Sequence, residues 1–325
     1  MDVAVIGLGL IGGSLLQALA AGGHRVAGFD ADPATRGTAR TAAARAEPGT
    51  RWQIAGTVRD AIAGVELVVL AVPLPALSSV LDDLRAQGYD GLVTDVTSVK
   101  GPVRDLAGGL RFVGGHPMAG KETSGFRASD PHLFHGCAWV LCLGDGTTTE
   151  DWLDLAALFT GLGARVVPAT ADEHDRAVAV ISHVPHLLAS ALTTAMADDP
   201  LAAALAAGSF RDGTRVAATR PELIAAMCGG NAAAVGPALD QVLKILGDLR
   251  ATLGTPDPVA ALRPLLAPAS AARAAWPPVA GEEAELPARS DVLLRLGRVG
   301  GWVTAVDRSH RKVLALRPET GRNSP

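Results

Sequence analysis

Short apolar runs closed by glycine, proline or polar clusters recur through the first half of the chain, at 3–6, 24–30, 66–73 and 92–96. Runs of that length bounded by turn residues predict buried strands. Glu66-Leu67-Val68-Val69-Leu70-Ala71-Val72-Pro73 is nearly all apolar and predicts a central strand covered on both faces. Between the runs lie segments with helical spacing, such as Leu15, Leu16, Ala18 and Leu19, and an Ala/Arg-rich stretch over 39–46. Further strands are expected at 112–115, 138–143 and 165–167, with a helix over 151–162, completing one doubly wound sheet.

Near Thr170 the pattern changes. Helical stretches follow at 172–198, 221–227 and 232–253, with Val235, Leu239, Val242, Leu243, Leu246 and Leu249 at helical spacing. Broadly apolar helices must bury their faces against each other or a second subunit. Beyond Pro256 a Pro/Ala-rich stretch carrying Pro264, Pro268, Pro277 and Pro278 resembles a linker. The tail over 291–318 has short apolar runs but no motif, and 319–325 reads as a frayed end. The expected fold is therefore α/β. A Rossmann-type doubly wound sheet spans 1–169, an all-helical domain 170–256, and a linker with a short C-terminal extension 257–325.

Bulk composition narrows the function classes. Hydrophobic residues make up 48% and charged residues 19%, with a net charge of −4 and no basic block, which argues against nucleic acid as a partner. The chain opens directly on a strand, so no signal or transit peptide is expected. No apolar stretch reads as both long and charge-free enough to span a bilayer. Cys137, Cys142 and Cys228 lack metal spacing and read as reduced core residues of a cytoplasmic protein.

The most specific chemistry lies in V-A-V-I-G-L-G-L-I-G-G-S, residues 3–14. Strand, glycine turn and helix form the context in which G-x-G-x-x-G binds a dinucleotide. Gly7 would make the tight turn, Gly9 let backbone approach a pyrophosphate, and Gly12 let helix and strand pack closely. The helix N-terminus offers free N–H groups to that anion. Asp30 ends the second strand about 20 residues on, where it can accept from both ribose hydroxyls and repel a 2′-phosphate. That favours NAD; Arg36 nearby keeps NADP open, and capping of the helix near Pro33 is the alternative role for Asp30.

Four further segments concentrate polar residues. Thr94-Asp95-Val96-Thr97-Ser98-Val99-Lys100 crowds the carboxyl end of a buried strand, where Ser98 could meet a ligand, an imidazole, or simply cap a helix. Gly114-Gly115-His116-Pro117-Met118-Ala119-Gly120-Lys121-Glu122 frames His116 rigidly, as an acid–base group or as a structural histidine. Ser182-His183-Val184-Pro185-His186 puts two histidines three apart, with Pro185 expected to disturb the helix. No further ligand at metal spacing accompanies them, so no metal is expected. Gly208-Ser209-Phe210-Arg211-Asp212-Gly213-Thr214-Arg215 suits carboxylate recognition by guanidinium, the alternative being solvated arginines paired to Asp212.

In this order, G-L-G-L-I-G-G-S, T-D-V-T-S-V-K, G-G-H-P-M-A-G, S-H-V-P-H and F-R-D-G-T-R-V-A resemble the prephenate dehydrogenase family of tyrosine biosynthesis, which includes the arogenate dehydrogenases. The stretch S-F-R-D-G-T-R-V-A-A-T is similar to actinobacterial members. The resemblance implies a homodimer formed through the helical domain, with the active site between the two domains. It implies NAD-dependent oxidative decarboxylation of prephenate to 4-hydroxyphenylpyruvate. His116 would take the proton of the ring hydroxyl, with Ser98 holding that imidazole and the nicotinamide in register. Arg215 would bind the ring carboxylate, Ser182 and His186 would line the substrate pocket, and Glu122 and Lys121 would sit near its mouth. Gly7, Gly9, Leu10, Ile11, Gly12, Asp30, Val72, Pro73 and Ser98 would contact the cofactor. Many relatives carry Thr where this chain has Lys121, and no ACT-type regulatory pattern follows Pro256. Arogenate, or an amino-deoxy analogue, is the alternative substrate, and a non-catalytic NAD-sensing regulator is the alternative from another class.

Overall fold

The computed structural model describes residues 1–144, 146–309 and 311–319. Six parallel strands form the first sheet: β1 (Asp2–Ile6), β2 (Arg25–Phe29), β3 (Gln53–Ile54), β4 (Leu67–Leu70), β5 (Leu92–Asp95) and β6 (Phe112–Val113). Their order is β3-β2-β1-β4-β5-β6. The connecting helices are α1 (Leu10–Ala21), α2 (Pro33–Arg45), α3 (Val58–Ile62), α4 (Leu77–Ala86) and α5 (Gly101–Leu106). Side chains alternate across the sheet, so Val3, Val5, Leu67 and Val69 enter one core while Ala4, Ile6, Val68 and Leu70 enter the other. Strand order reverses between β1 and β4, and that reversal opens a crevice beyond their carboxyl ends.

The strands expected to complete this sheet form a second one instead. β7 (Gly115–Pro117), β8 (Ala138–Cys142) and β9 (Arg165–Ala169), with α6 (Thr149–Gly161) crossing over, belong to a mixed sheet of order β10-β12-β11-β9-β8-β7. The chain changes sheets at Gly114. Phe112 and Val113 pair with β5, whereas Gly115, His116 and Pro117 pair antiparallel with β8. A Cβ on Gly115 would lie 2.7 Å from the Asp95 carbonyl oxygen, so only glycine lets the two sheets meet there.

Residues 257–325 also differ from a linker with an appended extension. Pro258–Ala274 is helix α13, with Pro258 in its first turn. The chain then returns as β10 (Ala280–Pro287), α14 (Ser290–Arg298), β11 (Trp302–Asp307) and β12 (Lys312–Pro318), half of the second sheet. Leu293, Leu296, Val303, Val313 and Ala315 join Trp139, Trp152 and Phe159 in one core. The frayed end expected at 319–325 lies, apart from Glu319, outside the described residues.

The helical segment runs through α7 (Ala171–Val178), α8 (Val184–Met196), α9 (Pro200–Leu205), α10 (Gly208–Thr214), α11 (Pro221–Gly230) and α12 (Ala232–Thr252). A π-helical turn, Ala179–His183, joins α7 to α8. Pro185 brings neither an N–H for the ladder nor room for a carbonyl four residues back, and the wider turn relieves both. Contrary to expectation, Ala171–Met196 has the length and mean hydropathy (1.4) to cross a membrane, and α11 with α12 would do so only across a 96° bend. Charged residues stand only at the start of this run, at Asp172, Glu173, Asp175 and Arg176. His174, Asp175 and His183 on it are buried in the protein, which makes it a wall of the site rather than a lipid-facing span.

Candidate active site

The glycine turn sits at the carboxyl end of β1. Gly7 adopts φ +96°, and a Cβ there would lie 2.4 Å from the Ala71 carbonyl oxygen. A Cβ on Gly12 would lie 1.9 Å from the Gly7 carbonyl oxygen, which is what close strand–helix packing demands. A Cβ on Gly9 would meet nothing within 4 Å. The turn is therefore open at Gly9, and α1 begins there with no side chain capping its first N–H groups. Both features fit a pyrophosphate. Leu10 and Ile11 are half-buried in the first turn of α1, Val72 packs beside Gly7, and Pro73 is exposed just after β4.

Asp30 braces this turn. Its Oδ2 accepts from the Leu8 N–H at 2.7 Å and its Oδ1 from the Asp32 N–H at 2.9 Å. Each oxygen keeps a lone pair that a ribose hydroxyl can use. The cap of α2 is Asp32, not Asp30. Arg36 lies over the Phe29 ring and donates to the Asp30 and Ala31 carbonyls at 2.6 and 3.1 Å.

His116 is placed by β7, just past the carboxyl end of β5. The buried Lys100 ammonium donates to the Asp95 carboxylate and, at 2.7 Å, to the Gly115 carbonyl. Asp95 in turn accepts from the Gly115 N–H at 3.1 Å, so the residue before His116 is held from both sides. The His116 Nδ1 lies 2.8 Å from His174 Nε2, and His174 Nδ1 lies 2.7 Å from Asp175 Oδ1. Asp175 also accepts from the Lys100 and Gly101 N–H groups, both at 2.8 Å, and so caps α5 from α7. Among the described residues Ser98 makes no hydrogen bond, and the imidazole partner of His116 is His174. Ser98 does not cap α5 either.

Burial lowers all three imidazoles of this region. His116 is held well below its ordinary value by burial first, then by the fields of His174, Lys100 and His183. His174 is lowered by burial despite the opposing pull of Asp175, and His183 is lowered to about 4 by burial. Burial pushes the Asp175 carboxyl upward, but His174 and the two amides outweigh it and leave the group below its ordinary value. At neutral pH the site thus holds neutral imidazoles and an ionised carboxylate. A neutral imidazole at a crevice is the state required of a general base.

The helical segment supplies the opposite wall. Asn231, between α11 and α12, donates to the Asp175 carbonyl at 2.8 Å and lies 3.1 Å from His183 Nδ1. Among the described residues the buried His183 Nε2 has no hydrogen-bond partner. His186 lies half-buried with Nδ1 2.8 Å from the Ser182 carbonyl, and the Ser182 hydroxyl lies 4.0 Å from Met227 Sδ. Arg215 donates to Glu122 at 3.0 Å, bridging the helices to the loop after His116. Both partners are exposed, at 61% and 74% of their side-chain surface. Lys121 pairs instead with Asp130 at 2.7 Å, and Arg211 with Asp212 at 3.5 Å. Among the described residues no cluster of three or more metal-ligating side chains is present.

His174, Asp175, Asn231, Lys100 and Asp95 went unassigned in the sequence reading. One signal for the first two was available. Ala171, His174, Asp175 and Val178 occupy the i, i+3, i+4, i+7 positions of a buried helix face, where two polar residues replace apolar ones. Asn231 left no comparable trace, because its partners Asp175 and His183 lie 56 and 48 residues away along the chain.

Comparison with known proteins adds to this geometry. The family model "Prephenate dehydrogenase, nucleotide-binding domain" matches residues 16–168, and "Prephenate dehydrogenase, dimerization domain" matches residues 170–259. Prephenate dehydrogenase of Bacillus subtilis is 33% identical over 68% of this chain and 62% of its own length, so the match leaves over a third of that relative unmatched. Cyclohexadienyl dehydrogenase of Zymomonas mobilis is 31% identical over 78% of this chain and 89% of its own. A solved structure from Corynebacterium glutamicum superposes with TM-score 0.77 at 36% identity, covering 85% of this chain and 90% of that one. A prephenate dehydrogenase from Aquifex aeolicus, solved with hydroxyphenyl propionate and NAD+, gives 0.76 at 25% identity over 84% and 97%.

Proposed function

This chain belongs to the prephenate dehydrogenase family, and from that premise we propose that it catalyses NAD-dependent oxidative decarboxylation of prephenate to 4-hydroxyphenylpyruvate. One observation carries the reading. A neutral, half-buried His116 lies just past the parallel sheet, its Nδ1 engaged and its Nε2 without a hydrogen bond among the described residues. An alcohol oxidation needs such a base. NAD+, when bound at the open turn of Gly7, Gly9 and Gly12, supplies the hydride acceptor, and Asp30 favours it over NADP. His116 Nε2 takes the proton of the ring hydroxyl as C4 is oxidised. Loss of the ring carboxylate as CO2 returns an electron pair to that oxygen, and the imidazolium hands the proton back to form the phenol.

Arg215 binds the ring carboxylate, exchanging Glu122 for the substrate through a charge-assisted pair. Ser182 and His186 line the pocket, Ser98 faces it from the β5–α5 connection, and Lys121 and Glu122 stand at its mouth. Leu10, Ile11, Val72 and Pro73 flank the dinucleotide. The chain works as a homodimer through residues 170–259, supported by the apolar residues that its helices leave exposed. Three free cysteines, buried or half-buried, fit a cytoplasmic enzyme.

Arogenate is the second reading, because the Zymomonas relative carries a name for the wider cyclohexadienyl class. Reduced-nucleotide formation with prephenate and with arogenate, each with NAD+ and NADP+, tests all of this. The expected result is turnover of prephenate with NAD+; tight NAD+ binding without turnover of either substrate would overturn it.

A further inference from the structure

We propose that His174 and Asp175 are positioning residues that hold His116 in the tautomer carrying hydrogen on Nδ1, so that Nε2 presents the lone pair. The role of that lone pair rests on the function proposed above; the tautomer does not. The argument starts at Asp175. An ionised carboxylate only accepts, and this one accepts from the Lys100 and Gly101 amides and faces His174 Nδ1 at 2.7 Å. His174 must therefore carry its hydrogen on Nδ1.

A neutral imidazole has one N–H, which leaves His174 Nε2 as an acceptor. That nitrogen lies 2.8 Å from His116 Nδ1, so the hydrogen between them belongs to His116. The direction of the chain is set at its carboxylate end, as in triads where an aspartate fixes the histidine tautomer. The other charged or titratable groups near His116 are Lys100 and Asp95 from the β5–α5 connection and His183 from the π turn. The residue paired with His116 on β8 is the uncharged Val140. Asn231 holds the Asp175 carbonyl at 2.8 Å, so the helical segment anchors the relay even though the base stands on the sheet.

Selective ¹⁵N-histidine labelling of the full-length protein, read at pH 8, reports the tautomer without any substrate. His116, assigned by its loss in His116→Asn, is expected as the Nδ1–H form. His174→Leu removes the acceptor, whereas His174→Gln keeps an amide oxygen that can accept from Nδ1–H. His174→Leu is expected to shift His116 toward Nε2–H and to lower kcat about 10²–10⁴-fold. The KM values for prephenate and NAD+ should stay within about threefold, and His174→Gln should keep kcat within about tenfold of the parent. An Nε2–H form of His116 in the parent would overturn the relay, as would equal losses in the Leu and Gln variants accompanied by a rise in KM. Should His174→Leu not fold, the parent spectrum still decides. An Nδ1–H His116 in a protein that turns over neither prephenate nor arogenate would uphold the relay and reject the functional reading.

Discussion

Strands β1 and β4 bury every residue from Val3 to Ile6 and from Leu67 to Leu70, whereas helix α13 buries none of its own. Both regions carry apolar runs, and they differ in the supply of partners. The parallel sheet is covered on both faces by its own helices and by the second sheet. The helical segment has a small core around Ala179, Val184 and Val235, and leaves Leu243, Ile245 and Leu246 of α12 about half exposed. Apolar surface on that scale calls for another surface to cover it. The sheet-built half closes on itself and carries His116; the helical half leaves apolar surface exposed and carries Arg215.

The sharpest way to break this contrast is to remove residues 280–325. Leu293, Leu296, Val303 and Val313 would leave the core, worth about 6–12 kcal/mol at about 1.5–3 each. That rivals the whole net stability of a typical domain, about 5–15 kcal/mol. The shortened chain should give no cooperative thermal transition. A soluble fragment with native near-ultraviolet dichroism would show that the first half closes without its C-terminal strands.

Next in size is the division of labour. His116→Asn should lower kcat about 10²–10⁴-fold with little change in KM. Arg215→Ala should instead raise KM for prephenate, by about tenfold, or about 1.4 kcal/mol, because Arg215 stands exposed on the helical side. Steady-state kinetics that placed both effects in the same parameter would erase the distinction between the two walls.

Packing offers a smaller effect. Leu70→Ala, inside the sheet, should cost about 2–5 kcal/mol in urea unfolding and leave the oligomer intact. Leu246→Glu, on α12, should do the reverse: little change in the chain's own fold, but a sedimenting species of half the parent's mass. A parent that sediments as a monomer would remove the reason given for the open helical face.

The mildest test is pH. His116, His174 and His183 sit below the ordinary histidine value, His183 at about 4. In the unfolded chain they bind protons near pH 6.5, before the folded protein does. Their contribution is therefore complete above pH 6.5 and is lost as pH falls toward 4. The urea midpoint should decline between pH 7 and 5; a flat or rising midpoint would mean these imidazoles are not held neutral by the fold.

Much of the site was legible beforehand wherever function is written in contiguous residues. Gly7, Gly9 and Gly12 between a strand and a helix implied the open turn that the structure has, and the frame around His116 marked it as placed. Spacing alone left Arg215 as one of two arginines; the family resemblance singled it out, and its contact with Glu122, where Arg211 pairs with Asp212, is what the structure adds. Ser98 stood in the right segment, but the hydrogen-bond partner of His116 in the structure is His174. The second sheet was misread because the break at Gly114 looks like an ordinary strand end. Its C-terminal strands were missed because prolines in α13 suggested a linker.

By itself, the sequence determined the alternation of strand and helix, the dinucleotide turn, the apolar helical segment and the histidine framed by glycine and proline. Local periodicity and backbone freedom at glycine decide those features within a few residues. Only the tertiary structure decided that 280–318 return to wall the first half, that the Ala171–Met196 run faces a buried polar cluster, and that His116 is held through His174 by Asp175. Those facts depend on residues 56–154 positions apart meeting across sheets and helices. No local pattern records such meetings, because burial and pairing belong to the folded chain as a whole.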